Sequence, residues 1–189
     1  MAAHPARSEA RRGARAARTL GRAAGAALVF AAYTLAGCGG GRSFVGGEYR
    51  DAEARYHVGA LGGDWAPLDV AGQNDLAWRS ARLGAIVQAN ATCDPASDAP
   101  LTALTAHLLI GFTERAIESQ ALVAMDGREA LRTRLVARLD GVTRQIVLVV
   151  LKKDGCVYDL SLVAAPGPHA AEAEAAFDAF VAGFTTERR

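Results

Sequence analysis

Residues 125–158 read MDGREALRTRLVARLDGVTRQIVLVVLKKDGCVY and contain three Asp-Gly pairs at intervals of 14 residues, namely Asp126-Gly127, Asp140-Gly141 and Asp154-Gly155. Asp-Gly is typical of type I′ turns, in which both central residues take positive φ angles that match the twist of a two-residue hairpin. The spacing therefore predicts four consecutive antiparallel strands, at about residues 115–125, 128–139, 142–153 and 156–165.

The inner strands of this meander are apolar on both faces. A two-residue middle loop pairs aliphatic residues on one face: Leu139 with Val142, Leu135 with Ile146, and Leu131 with Val150. The opposite face carries a second aliphatic set: Val147, Val149, Leu160 and Leu162. Since an antiparallel sheet needs only one covered face, this pattern predicts cover on both sides.

Two segments have the apolar spacing of helices that could supply this cover. In residues 100–112 the stripe is Leu101, Leu104, Leu108 and Phe112, with Pro100 in the first turn and Ser97 or Asp98 as the cap. Near the C-terminus the stripe is Ala173, Phe177, Phe180, Val181 and Phe184. The predicted fold class is α+β, an α/β/α sandwich on an antiparallel β-meander sheet.

The order of these elements resembles the PsbP-like fold. The features that carry the resemblance are a strand with Asp64-Trp65, a strand pair ending at residues 89–93, a helix starting at Pro100-Leu101, the Asp-Gly meander, Tyr158 and a Phe-rich terminal helix. That fold is shared by the extrinsic photosystem II protein PsbP and a nuclear import factor that binds the GTPase Ran. The resemblance covers about residues 49–186 and is greatest to bacterial lipoproteins of this type. It implies an accessory or binding role.

The N-terminus has the features of an export signal. Six arginines precede an apolar run at residues 23–36, and Leu35-Ala36-Gly37-Cys38 has the order of a lipobox. The run has 14 residues, whereas a transmembrane helix needs roughly 20. We therefore expect a signal peptide at residues 1–37, a lipidated Cys38 with a Gly-rich tether over residues 38–48, and one globular domain at residues 49–189.

This interpretation sets the expected location and partners. Lipid at Cys38 would anchor the protein in the cell membrane or outer membrane, with the domain facing the periplasm. Six of the 21 basic residues but one of the 20 acidic residues precede Cys38, so the exported chain is mildly acidic. Binding to nucleic acid requires clustered basic residues, so we expect no nucleic-acid partner. An envelope protein is the expected partner.

Cys93 and Cys156 remain as an even pair once Cys38 is lipidated. Both lie at predicted sheet ends, in a compartment that permits disulfides. A bond between them would stabilise the domain by up to ~4 kcal/mol in the loop-entropy model. The alternative is two separate buried thiols. Neither cysteine has a Cys-x-x-Cys partner or a histidine at ligand spacing, so we expect no metal site here.

The sequence shows no signature of catalysis. No serine lies in Gly-x-Ser-x-Gly, and no cysteine stays free for nucleophilic chemistry if the pair is bonded. His57 is expected on a strand surface, His107 on the flank of a helix and His169 near the start of the last helix. We therefore expect no catalytic residues, no cofactor and no metal.

One basic face is the candidate binding patch. Arg132, Arg134 and Arg138 lie on the same face of one predicted strand. They could dock an anionic group on a partner protein or on lipid headgroups. The alternative is a solvated sheet rim in which acidic side chains such as Glu118 or Glu129 pair with the arginines.

Two functions fit these observations. The first is a membrane-anchored, non-enzymatic interaction module, an accessory subunit of an envelope complex. The second is a binder of a small apolar ligand, held between sheet and helix for an envelope transport system. A deep apolar pocket would favour the ligand binder, whereas a flat exposed patch would favour the interaction module.

Overall fold

A computed structural model describes residues 41–70, 74–94 and 98–187. Cys38, the predicted signal peptide and the predicted cap Ser97 lie outside these residues. In chain order the elements are β1 (Ser43–Val45), β2 (Glu48–Arg50), β3 (Arg55–His57), β4 (Trp65–Pro67), β5 (Leu76–Ser80), β6 (Ala85–Thr92), α1 (Leu101–Leu108), β7 (Thr113–Met125), β8 (Arg128–Leu139), β9 (Val142–Lys153), β10 (Cys156–Ala164), α2 (Ala170–Ala182) and β11 (Thr185–Thr186). No helix formed by the described residues is long and apolar enough to cross a lipid bilayer.

The Asp-Gly meander forms as predicted. Strands β7 to β10 are joined by three two-residue turns in which every Asp and Gly has a positive φ, for example 50° at Asp140 and 76° at Gly141. The predicted register is confirmed, since Leu139 faces Val142, Leu135 faces Ile146 and Leu131 faces Val150. The meander is one side of a seven-stranded antiparallel sheet with the order β4-β5-β6-β10-β9-β8-β7.

Helix α2 covers one face of this sheet. Ala173, Phe177 and Phe180 are fully buried in the larger core cluster. Phe184 follows the helix and is buried in the same cluster. The sheet supplies the aliphatic set predicted for this face: Val147, Val149, Leu160 and Leu162. The expectation of apolar cover on this side is confirmed.

Helix α1 covers only part of the other face. It packs on β8 and β9, where Leu109 lies against Leu135 and Ile146 in a second, smaller core cluster. The helix is shorter than predicted, because the chain turns at Gly111, whose φ is 92°. The predicted leucine stripe is confirmed in part, since Leu108 and Phe112 pack against this cluster, but the fully buried residues here are Thr105 and Leu109.

The predicted cap of α1 is also wrong for Asp98. Pro100 is the residue at the N-cap, and no side chain caps the helix. Asp98 instead accepts a hydrogen bond from Lys152 Nζ at 2.6 Å. An ion pair with the end of β9 therefore replaces the expected contact with the helix backbone.

A second sheet, which the sequence pattern did not indicate, joins the two ends of the described chain. Its order is β1-β2-β3-β11. Tyr49 and Tyr56 from this sheet are fully buried and contact each other. The ring of Tyr56 also contacts the rings of Tyr158 and Phe184. Residues 43–45 are paired with residues 48–50, so this part of the predicted tether at residues 38–48 belongs to the sheet.

Candidate interaction surfaces

Three arginines of the predicted patch share one face of β8, but each is paired with carboxylates. The ion pairs are Arg132 with Glu174 (3.0 Å) and Asp178 (2.8 Å), Arg134 with Glu118 (2.8 Å) and Glu174 (2.9 Å), and Arg138 with Glu114 (3.2 Å). Three guanidinium groups thus face four carboxylates. The face has no excess of positive charge with which to attract an anionic partner.

Two of these arginines connect the sheet to α2. Glu174 lies on α2 and receives one ion pair from Arg132 and one from Arg134. The Glu174 side chain is only 15% exposed, so these ion pairs are partly shielded from water. A docking role for the three arginines stays a prediction, and the contacts give them a structural role.

We expect replacement of Arg132 by serine to destabilise the domain. The change leaves Asp178 unpaired and removes one of the two partners of Glu174. We expect the free energy of unfolding to fall by about 1–2 kcal/mol, because these ion pairs are only partly exposed and their loss should cost more than that of a surface pair and less than that of a buried pair. Replacement of Arg138, whose pair is exposed, should cost less than about 1 kcal/mol. Urea titration of both variants measures the difference. Equal stabilities would contradict the structural role of Arg132.

Strand β7 is the second candidate surface. It is an edge strand of the large sheet and extends over 13 residues, of which the first ten are exposed. Among the described residues no strand pairs with its outer edge. An edge strand presents unpaired N–H and C=O groups, with which another strand can form hydrogen bonds.

The two halves of β7 differ. Residues 113–118 carry three charged side chains, and the pairing with β8 is irregular at two places between Thr113 and Ser119. Charges and bulges protect edge strands from unwanted pairing. Residues 119–125 have neither feature, because they are uncharged and pair regularly with β8. Leu122, in the middle of this half, is 57% exposed.

A small cleft lies beside α1, where the helix leaves the sheet uncovered. One side of the cleft is apolar and the other polar. The apolar residues are Leu108, Phe112, Ile146, Leu148 and Val163, and the polar residues are Asn74, Gln88, Asp159 and Ser161. Its volume is about 130 Å³, below the roughly 300–1,000 Å³ of pockets that bind drug-sized ligands. The cleft therefore admits only a small group.

Asp159 is the ionisable side chain that lines this cleft. Burial, and the negative charge of Asp75, raise its pKa to about 6, although a hydrogen bond from Asn90 Nδ2 at 3.3 Å lowers it. Within the described ranges neither Asp159 nor Asp75 forms an ion pair. The cleft thus contains a carboxylate whose negative charge is poorly compensated.

Asp75 belongs to a network that joins the two sheets. Its carboxylate accepts hydrogen bonds from the hydroxyl groups of Tyr49 (3.0 Å) and Tyr56 (3.1 Å) and from the backbone N–H of Ala91 (2.8 Å). Burial raises the pKa of Asp75 and of both tyrosines. All of these groups have partners, so the network fastens β2 and β3 to β6.

The cysteine pair is bonded as predicted. Cys93 directly follows β6, Cys156 begins β10, and their Cα atoms are 4.0 Å apart. The last strand pair beside them is Thr92 with Val157. The disulfide therefore closes the end of this strand pair, consistent with the expectation from the sequence.

The histidines lie at the predicted elements. His107 is exposed on α1, and His169 is at the N-cap of α2. His57 is half-buried on β3 between two carboxylates, Glu48 at 3.4 Å and Glu187 at 3.3 Å. Arg55 pairs with both of these glutamates, and Arg50 pairs with Glu48. The guanidinium groups balance the two carboxylates, so this cluster is a network of ion pairs.

Comparison with known proteins informs the fold. No family model and no curated protein sequence matches the chain. Solved structures do match. The solution structure of cyanobacterial PsbP (CyanoP) from Synechocystis has a TM-score of 0.50 at 14% identity, over 78% of this chain and 92% of that one. The fold is PsbP-like.

Two further structures share the PsbP-like arrangement. LpqN of Mycobacterium tuberculosis has a TM-score of 0.50 at 14% identity, over 71% of this chain and 86% of LpqN. A crystal structure from Bacteroides thetaiotaomicron has a TM-score of 0.50 at 15% identity, over 71% of this chain. The chain spans less than half of that Bacteroides protein, with 46% covered. At these identities the similarity establishes the PsbP-like fold alone.

Proposed function

We propose that the protein is a membrane-anchored, non-enzymatic interaction module of the bacterial cell envelope. The lipobox at residues 35–38 supports an anchor at Cys38 and a domain that faces the periplasm. LpqN, which shares the fold, is described as involved in cell envelope biogenesis. The cleft beside α1 is small and partly polar, which favours binding through a surface over binding of a large apolar ligand.

The observation that carries this proposal is the open half of β7, residues 119–125. The partner of this half of β7 is an extended, uncharged segment of another envelope protein. That segment adds to the seven-stranded sheet as an eighth strand. The nearest carboxylates on β7, Glu114 and Glu118, are neutralised by Arg138 and Arg134. An uncharged strand could therefore pair with this half without removing an unpaired charge from water, and Leu122 offers an apolar contact.

We expect Leu122→Lys to abolish this docking. A charge on an edge strand opposes pairing with an uncharged strand, and the exposed site should tolerate lysine within about 0.5 kcal/mol. A photo-crosslinking residue at Ala121, introduced in cells, should yield an adduct with one envelope protein in the native background. The Leu122→Lys background should lose most of that adduct.

Ile110 provides the matched control. It is 72% exposed and lies in the turn between α1 and the start of β7, outside the open half at residues 119–125. Ile110→Lys should leave the adduct at Ala121 unchanged. An adduct that persists with Leu122→Lys, or an adduct of twice the mass of this chain, would contradict docking of an envelope partner on β7.

The proposed anchor has a separate test. Mass spectrometry of the N-terminus, from protein extracted from membranes, should find a diacylglyceryl group on Cys38. Cys38→Ala should lack the group and move the protein out of the membrane fraction. An unmodified Cys38 in the native protein would refute the anchor without affecting the β7 proposal.

A second candidate function is ligand binding, and the cleft beside α1 favours it. The sequence led us to expect an apolar ligand, but this cleft is polar on one side and small. It would hold a compact ligand or the end group of a longer one. Native mass spectrometry of protein purified from membranes tests this function, because a bound molecule should appear as a discrete added mass that is lost on denaturation.

A further inference from the structure

The cleft beside α1 combines groups of two chemical kinds. On its apolar side lies the aromatic ring of Phe112, together with aliphatic side chains from α1, β9 and β10. On its polar side lie the carboxylate of Asp159, the hydroxyl of Ser161 and the amides of Gln88 and Asn74. A carboxylate and an aromatic ring around one small space are the groups that attract an ammonium ion.

The charge in the cleft is unbalanced. Among the described residues Asp159 accepts one hydrogen bond, from the neutral amide of Asn90 at 3.3 Å, so most of its acceptor capacity is unused. Asp75 adds a second negative charge nearby. No Lys, Arg or His among the described residues pairs with either carboxylate. A bound cation would neutralise this uncompensated negative charge.

The acceptors in the cleft suit a primary ammonium group. Such a group has three N–H donors. Asp159 is one acceptor, and the amide oxygen of Gln88, which already accepts from Ser161 Oγ at 3.3 Å, is a second. The oxygen of Ser161 has free lone pairs and is a third. The carbon part of the ligand would then contact the apolar side.

We infer that this cleft is a binding site for a small primary ammonium ligand, or for the aminomethyl end of a larger molecule. The inference rests on the second candidate function and names its ligand class. The volume of about 130 Å³ is close to that of a cavity that holds benzene, so a single ring or a short chain fits. The inference about this cleft does not depend on the proposed docking of a partner on β7.

Benzylammonium is the probe, and benzyl alcohol is its uncharged control of the same shape. Binding to the full-length protein is followed by isothermal calorimetry and by NMR shifts of Phe112 and Ser161. We expect the native protein to bind benzylammonium at least about tenfold more tightly than benzyl alcohol, because a hydrogen bond between charged groups is stronger than one from a neutral hydroxyl. Asp159→Asn should remove this preference.

Asp140→Asn is the matched variant, since it removes an exposed carboxylate from a type I′ turn that also accepts asparagine. It should keep the preference for benzylammonium. Absence of saturable binding to the native protein, or an equal preference in Asp159→Asn, would overturn the inference. A different bound molecule in native mass spectrometry, with no binding of benzylammonium, would refute the ligand class and leave the second candidate function standing.

Discussion

Replacement of Cys93 and Cys156 by serine should lower the free energy of unfolding by about 4 kcal/mol. The bond closes a loop of 63 residues and so restricts the conformations of the unfolded chain. Its loss restores the conformational entropy of the unfolded chain, which favours unfolding. For a domain of this size the thermal midpoint should fall by roughly 10 °C. Differential scanning calorimetry of the double variant and the native protein measures the change.

The double variant is preferable to either single one, because a lone cysteine could form a disulfide between two copies of the chain. Native protein treated with reductant should reproduce the lower midpoint. Near-equal midpoints for the native protein and the double variant would show that the bond contributes little. The stabilisation expected from the sequence would then be wrong, although the bond itself is present in the structure.

Asp159→Asn should stabilise the domain at pH 8 by about 3 kcal/mol and have little effect at pH 4. Burial raises the pKa of Asp159 from its ordinary value of 3.8 to about 6 in the folded state. A carboxyl with a raised pKa favours the folded state below pH 3.8, and this advantage is lost as the pH rises through 6. Asparagine carries no charge and still accepts the hydrogen bond from Asn90.

The measurement is the difference in unfolding free energy between variant and native protein across pH 4–8. That difference should grow between pH 4 and pH 6 and then level off. Asp140→Asn, at the exposed turn, should show no such dependence. A stabilisation that is equal at pH 4 and pH 8 would indicate that packing, rather than charge, explains the effect.

A carboxylate that lies in a cleft and lowers the stability of the fold is typical of a functional site.

The core of the fold follows from local sequence patterns. The Asp-Gly turns set the register of β7 to β10, because positive φ angles at both turn residues permit only a tight hairpin. The two helices follow from apolar spacing, although the turn at Gly111 shortens α1. Turns and apolar periodicity depend on residues that are close together in sequence, so they can be predicted without knowing which distant residues are in contact.

The features that pattern reasoning missed are long-range. Strand β11 has two residues and pairs with β3, some 130 positions earlier in the chain, so no periodicity marks it. The arginine face was recognised, but its partners Glu174 and Asp178 come from α2, and only the packing of α2 on the sheet brings them together. Asp159 gave no signal because a single acidic residue in a strand is usually exposed.

The small sheet has a consequence for the order of events during synthesis. Its strands β1 to β3 come first among the described elements, whereas β11 comes after all the others. Thr186 in β11 also donates hydrogen bonds to Asp126, so β11 holds the first Asp-Gly turn as well. A nascent chain cannot complete this sheet until β11 has left the ribosome. If the chain crosses the membrane unfolded to reach the periplasmic location proposed above, the small sheet can form only after β11 has been translocated.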